Sequence, residues 1–208
     1  MKKKKGKWIV ITGLDGSGKT TLKNSLSQYY GALSFKSPYH QFVRDSLKIS
    51  GYGKIFTDVY TDIILFIADY RITNYKINEW RLKEPIIISQ RGFMDHFIFN
   101  KAWGVDYNET NNLLKPDAFE KPTISIYLVA DPKIAYDRIK DDPNQDKFET
   151  HTFMKSQYLE TMAFYKLINK NKLLKKLFPE PRYLIDTTNL TPKETFDLVI
   201  KILSKHKI

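Results

Sequence analysis

Cysteine is absent from all 208 residues, which excludes disulfides, thiolate metal centres and a cysteine nucleophile. Long apolar runs are absent too. Stretches such as Ile63–Ala68 fall far short of the ~20 residues that span a bilayer. Acidic residues are in deficit, with 23 Asp and Glu against 34 Lys and Arg and a formal net charge of +11. That balance suits polyanionic partners, either nucleotides or nucleic acid. The lysines are scattered, with small clusters at 2–7 and 170–176, so a solvated basic surface is favoured over a working nucleic-acid face. The basic N-terminus Met1–Lys7 leads into a strand-like segment rather than a signal-peptide core. A soluble cytoplasmic protein is expected.

No internal repeat, low-complexity segment or linker divides the sequence. With 42% hydrophobic residues it is long enough for one well-cored domain over 1–208. Short apolar runs alternate with longer amphipathic stretches, the pattern of a mostly parallel sheet covered by helices. The strand candidates are Trp8–Thr12, Ala32–Phe35, Pro85–Ser89, Thr123–Val129 and Arg182–Asp186. Several are apolar on both faces, as buried parallel strands are. Asp131-Pro132 marks a helix start. Thr191-Pro192-Lys193-Glu194 is a capping box before a terminal helix whose inner face carries Phe196, Val199, Ile200 and Leu203. Long helices are predicted over about 57–82 and 152–174, the second with an apolar stripe of Met154, Tyr158, Met162, Tyr165 and Ile168.

Between the first strand and the following helix, Gly13-Leu14-Asp15-Gly16-Ser17-Gly18-Lys19-Thr20 fits G-x-x-x-x-G-K-[ST] at every defined position. Glycines let backbone amides turn inward as an anion nest, and the helix start adds its positive dipole end. Lys19 reaches β- and γ-phosphates, and the Thr20 hydroxyl can ligate Mg²⁺. ATP and Mg²⁺ are therefore the expected cofactors, with Gly13, Gly16, Ser17, Gly18, Lys19, Thr20 and Thr21 as the ATP-binding set. The fold expected is α/β: a three-layer P-loop NTPase with a five-stranded mostly parallel sheet and helices on both faces, to which the family resemblance described below adds a short lid. Asp15 is the odd residue in an anion cradle. Either it points to a second substrate, such as a sugar hydroxyl, or it caps local amides in a turn.

The run Gly13–Thr21 resembles the phosphate loop of the thymidylate kinase family. The resemblance continues in order along nearly the whole chain. Leu65-Phe66-Ile67-Ala68-Asp69 is similar to the helix bearing a base-stacking phenylalanine, and Ser89-Gln90-Arg91 falls where the family has an Asp-Arg pair. Asp131-Pro132 with Arg138-Ile139 resembles the strand-to-lid segment, Asp146-Lys147-Phe148-Glu149 the lid, and Leu184-Ile185-Asp186-Thr187-Thr188 the last strand and base-side loop. The resemblance implies a kinase that moves phosphate from Mg·ATP to a deoxynucleoside monophosphate, dTMP first. Asp15, Lys36, Phe66, Tyr70, Arg71 and Arg91 would hold the acceptor, and the lid would span about 138–150. The family's common dimeric state would use the apolar helix over 57–82. The sequence departs from the family pattern at four places. Tyr70 stands where the family has a base-reading arginine, with Arg71 next to it. Lys36-Ser37-Pro38-Tyr39-His40 replaces the element whose arginine holds the acceptor phosphate, leaving Lys36, His40 or Arg44 to substitute. Gln90 replaces an acid near Mg²⁺, and the lid has no arginine between Arg138 and Phe148.

Chemistry separates the possible acceptors. A phosphate monoester, with a second pKa of about 6, is mostly dianionic at pH 7. It needs cations for alignment, not a general base. A hydroxyl acceptor needs a positioned carboxylate. Arg91 follows a strand at the sheet's C-terminal edge, where ligands bind in open α/β sheets. Lys19, Arg91 and Arg138 are thus the expected catalytic cations, with Arg91 clamping the acceptor and Arg138 steadying the transferred group. A surface ion pair is the plain alternative for each arginine. Phe66 is equally readable as a stacking or a core residue. Asp95, before His96, is either a helix-start aspartate or a carboxylate near the reacting groups. A kinase of deoxynucleosides or of DNA, and a non-catalytic nucleotide binder, are the competing functions.

Overall fold

The computed structural model describes residues 5–51, 59–142 and 150–208. Its elements run β1 (Lys7–Gly13), α1 (Lys19–Tyr30), β2 (Leu33–Lys36), α2 (Gln41–Gly51), α3 (Val59–Lys83), β3 (Ile86–Gln90), α4 (Phe93–Ala102), α5 (Tyr107–Leu114), β4 (Ile124–Val129), α6 (Pro132–Asp137), α7 (His151–Lys170), α8 (Lys172–Leu177), β5 (Arg182–Asp186) and α9 (Pro192–Lys205). The five strands form one sheet in the order β2-β3-β1-β4-β5, and every neighbouring pair is parallel. The strands lie within a residue or two of the expected segments.

Alternation along β1 decides which helices lie on which face. Side chains two apart point the same way. Ile9 and Ile11 share a cluster with Leu22 and Leu26 of α1 and with Val199, Ile202 and Leu203 of α9. Trp8 and Val10 point oppositely and meet Phe35, Ile87 and Ile77 of α3. The Trp8 indole N–H donates to Ser89 Oγ at 3.0 Å, so the largest side chain in the strand is buried with its polar atom satisfied. On that same side of β4, Tyr127 joins a larger cluster with α3, α4, α7 and α8. Each fully buried aliphatic or aromatic side chain contributes about 1.5–3 kcal/mol by leaving water.

Helix starts follow the sequence signals. Asp131 caps α6 by accepting from Lys133 N and Ile134 N, with Pro132 in the first turn. Thr191 and Glu194 close the capping box of α9. The helix expected over 152–174 is instead two helices. Asn171, at φ −107° and ψ 119°, ends α7, and its side chain accepts from Leu174 N at 3.0 Å to start α8. The inner face of α7 is also rotated from the apolar stripe. Met154, Gln157, Thr161, Phe164 and Ile168 are buried, while Tyr158, Met162 and Tyr165 are half-buried. Thr161 is accommodated because its hydroxyl donates to Gln157 O at 2.7 Å. Of the helix expected over 57–82, residues 57 and 58 lie outside the described residues, as does the lid segment 146–149.

Candidate phosphotransfer site

The loop between β1 and α1 is closed by contacts that only its sequence permits. Gly13 has φ 122° and Gly16 φ 73°. A Cβ on Gly13 would stand 1.9 Å from Leu128 O, and one on Gly16 2.1 Å from Ala135 O. Both positions therefore need glycine for conformation and for space. Leu14 N donates to Leu128 O at 3.0 Å, and the Ser17 hydroxyl donates to Leu14 O at 2.5 Å. Lys19 and Thr20 follow in the first turn of α1, at the positive end of its dipole.

Lys19 is 4% exposed. Its ammonium donates to Leu14 O at 2.7 Å and to Asp15 Oδ1 at 2.9 Å. The same carboxylate oxygen accepts from Arg91 Nη2 at 2.9 Å. Burial pulls the Lys19 ammonium below its ordinary value, although the Asp15 charge opposes it. Burial works against the Asp15 carboxylate as well, yet the Lys19 and Arg91 cations outweigh it and hold the carboxyl below the usual range. Asp15 thus sits between the cation of the phosphate loop and the cation at the end of β3.

Arg91 has φ 71°, a left-handed conformation that is costly for a long side chain. Its neighbours hold it there. Arg91 N donates to Ile11 O at 2.8 Å, and Gly92 N donates to Asp95 Oδ2 at 2.7 Å. The other oxygen of Asp95 accepts from the Thr12 hydroxyl at 2.5 Å. The Arg91 guanidinium lies 5.0 Å from the ring centroid of Phe99, one turn beyond Asp95 on α4. Asp95 is the helix-start aspartate, and it also ties α4 to the end of β1. Burial raises its carboxyl, partly offset by the Thr12 and Gly92 hydrogen bonds and by Arg91.

Asp15 lines one cavity and Arg91 lines another, so their ion pair links the walls of the two. The larger, about 380 Å³, is lined by the loop from Asp15 to Leu22 and by Lys36, Gln90, Arg138, Thr187, Leu190 and Thr195, among others. All but Gly13 of the expected ATP-binding set line it, and Gly13 forms the turn beneath. Thr20 Oγ1 donates to Gln90 Oε1 at 3.2 Å. Lys36 ends β2 in register with Gln90. The smaller cavity, about 30 Å³, is lined by Ser37, Phe66, Arg91, Gly92, Asp95, His96, Phe99, Asn100 and Trp103. Phe66 therefore faces the cavity where a stacking ring was expected, its centroid 6.2 Å from that of Trp103.

Two expected residues, Tyr70 and Arg71, take other positions, whereas Arg138 lines the larger cavity. Tyr70 is 1% exposed and packs against Phe93, Phe119 and His96, lining neither cavity. Four residues advance a helix by about 400°, so position i+4 is offset by about 40°, enough to turn Tyr70 from the cavity into the core. Arg71 is exposed, and one guanidinium nitrogen donates to Leu114 O at 3.0 Å, away from both cavities. Arg138 donates to Gly16 O, Thr187 O and Thr188 O at 3.3, 2.9 and 3.1 Å, joining the phosphate loop to the turn after β5. Of the substitutes considered for the acceptor arginine, His40 is bound to Asp69, its Nδ1 2.9 Å from Oδ1. Asp69 also accepts from Tyr39 N and His40 N and so fixes the turn after β2. Arg44 donates to Tyr39 O and Pro38 O of that same turn.

Sequence reasoning missed Phe99, Asn100 and Trp103. Their helical spacing after Arg91 was the available signal. Thr187 appeared only through resemblance, and its hydroxyl lies 3.0 Å from Ser17 O and 3.1 Å from Val129 O.

Comparison with known proteins bears on the family and the fold. The profile of a family described as thymidylate kinase matches residues 11–176. A probable thymidylate kinase of Methanocaldococcus jannaschii is 29% identical over 199 residues, covering 94% of this chain and 95% of its own. Among solved structures, a thymidylate kinase from Candida albicans is similar with a TM-score of 0.77 at 20% identity, over 98% of this chain and 93% of that one. A deoxyadenosine kinase from M. mycoides reaches 0.73 at 21% identity, over 95% and 99%. At those identities the two structures speak for the fold alone. The profile match covers the phosphate loop, the Arg91 kink and most of both cavity walls, and on it the chain belongs to the thymidylate kinase family.

Proposed function

We propose that this phosphotransferase moves the γ-phosphate of Mg·ATP to a deoxynucleoside monophosphate, with dTMP the first candidate. The observation that carries the reading is that one Asp15 oxygen accepts from both Lys19, which lines the larger cavity, and Arg91, which lines the smaller. ATP lies in the larger, its phosphates on the loop amides and Lys19 and its nucleoside toward Thr187, Leu190 and Thr195. Arg91 clamps the acceptor phosphate, and Asp15 takes the acceptor's sugar hydroxyl. Phosphoryl transfer between two such groups needs alignment and charge neutralisation, which Lys19 and Arg91 supply. Arg138, bound to three backbone carbonyls, holds the walls of the ATP cavity in register beside the transferred group.

Mg²⁺ prefers a few hard oxygen ligands alongside phosphates. The Thr20 hydroxyl and the Gln90 amide oxygen, 3.2 Å apart on the cavity wall, fit that preference. Thr20 would hold the ion, with Gln90 beside it, and its role would be to offset the negative charge of the phosphates.

A hydroxyl acceptor would require a free carboxylate base. Asp95 is the buried carboxylate in the smaller cavity, but its two oxygens already accept from Thr12 and Gly92. That commitment favours the monophosphate. The reading takes residues 1–208 as one kinase domain with a lid at about 138–150, working in the cytoplasm where ATP is made available. A homodimer would bury Tyr60, Ile64, Ile72 and Tyr75, which α3 exposes.

ADP release from Mg·ATP against dTMP, dUMP, dCMP, dAMP, dGMP, thymidine and duplex DNA tests the proposal. Turnover on a deoxynucleoside monophosphate is expected. Lys19→Ala should lower it at least ~100-fold, since it removes a cation aimed at developing charge. Activity on thymidine or DNA alone overturns the reading.

A further inference from the structure

If Arg91 holds the acceptor phosphate, the acceptor's base must lie farther along α4, because the smaller cavity continues in that direction. His96, Asn100 and Trp103 follow Arg91 along one face of α4 and all line this cavity. Helical rise is about 1.5 Å per residue, so His96 stands only ~6 Å along the axis from Gly92, about one sugar's length from the clamp. Phe66 and Trp103 supply apolar faces at the outer end, with ring planes 34° apart. A base laid against these faces presents its polar edge to α4.

The polar groups available to that edge differ in how far they are committed. Ser37 Oγ donates to Asp69. Arg91 is bound to Asp15, and Asp95 caps α4. Asn100 donates its amide nitrogen to Thr110 Oγ1 at 3.1 Å, which fixes the orientation of the amide. His96 meets Tyr70 edge-on behind it, at 5.5 Å between ring centroids, and the cavity in front.

We propose that His96 is the residue that reads the acceptor base, and that it accepts keto and amino pyrimidines alike, so that the enzyme phosphorylates both dTMP and dCMP. The proposal rests on the monophosphate-kinase reading above. A neutral imidazole offers one N–H donor and one lone-pair acceptor and exchanges them between tautomers. As donor it satisfies the 4-keto oxygen of thymine, and as acceptor it satisfies the 4-amino group of cytosine. Burial keeps the ring neutral, with its pKa drawn down to about 4. Among the described residues Arg91 is the guanidinium that lines this cavity, and it is bound to Asp15 at the end proposed for the phosphate, while Arg71 donates to Leu114 O elsewhere. A free volume of about 30 Å³ must widen for any base, so a single ring is favoured over a purine.

The test is kcat/KM for dTMP, dUMP, dCMP, dAMP and dGMP with the wild type, His96→Leu and His96→Gln. The wild type should treat dTMP and dCMP within about tenfold of each other, and purines more than tenfold worse. His96→Leu should lose about tenfold or more on both pyrimidines, the worth of one buried hydrogen bond, with the KM for ATP within about twofold. His96→Gln, whose amide offers a donor and an acceptor, should restore both and guards against a merely unstable leucine variant. A wild type that separates dTMP from dCMP by more than about tenfold, or a leucine variant that leaves both unchanged, overturns the role of His96 but not the kinase. A wild type with no turnover on any monophosphate overturns the kinase reading beneath it.

Discussion

Asp15, Lys19 and Arg91 place two cations on one carboxylate oxygen, each at 2.9 Å. Such an arrangement is only as good as the backbone that aims the arginine, and Arg91 is aimed from an unfavourable φ. Asp95 is what holds it. Its carboxylate fixes Gly92 N and the Thr12 hydroxyl together, so the kink between β3 and α4 cannot relax. Asp95→Ala should therefore lower kcat/KM for the acceptor about 10- to 100-fold through displacement of Arg91, with the KM for ATP little changed. It should also cost about 1–3 kcal/mol of stability for the buried groups left unpaired. Asp95→Asn keeps an acceptor for Gly92 N and should recover most of the acceptor kinetics. Equal loss of ATP and acceptor kinetics in both variants would show that Asp95 acts only on folding. Steady-state kinetics with each substrate varied separately makes the distinction.

The elements differ in how openly the sequence announces them. The phosphate loop is local: nearest-neighbour chemistry between glycines, a lysine and a helix start dictates it, so its reading needed no tertiary contact. The Arg91–Asp15 contact spans 76 residues and rests on a left-handed arginine, which no propensity favours. The long helix α3 is apolar on several sides and buries Asp62, Asp69 and Thr73 as well, so its periodicity could not say which aromatic faces the cavity. The break at Asn171 was hidden because the apolar spacing runs through it, although asparagine is a preferred N-cap. α8 matters to the site, since it brings Leu174 and Leu177 into the cluster that holds Phe93, beside the Arg91 kink. Asn171→Ala should cost about 1 kcal/mol, lowering Tm by ~2–4 °C for a chain of this size. Differential scanning calorimetry measures that shift, and an unchanged Tm would mean that α8 is held by packing alone.

At the scale of the whole molecule, the buried His96 ties stability to pH. Its pKa falls from 6.5 to about 4 on folding, with burial the leading cause. A group depressed in the folded state takes up protons sooner in the unfolded chain. Stability from a neutral His96 is therefore complete above about pH 6.5 and is lost as pH falls toward 4. The loss attributable to this residue should be about 3 kcal/mol. Urea unfolding at pH 7 and at pH 4.5 measures it, with His96→Gln as reference. A wild type and variant whose stabilities decline in parallel would show that His96 charges freely in the folded protein.

The missing Cβ of Gly16 has a mechanical reach. With Ala135 O where a methyl group would stand, the backbones of the phosphate loop and α6 touch with nothing compressible between them. Side-chain contacts can slide, but two main chains in van der Waals contact transmit thrust. Filling of the phosphate loop should therefore push α6 and swing the residues that follow it, with Arg138 as the pivot through its bonds to Gly16, Thr187 and Thr188. A fluorophore on the exposed Lys140, which lines neither cavity, should change its emission when nucleotide binds at a loop it does not touch. Phosphate occupancy would then be legible at a distance, as the deflection of a lever whose short arm is a glycine.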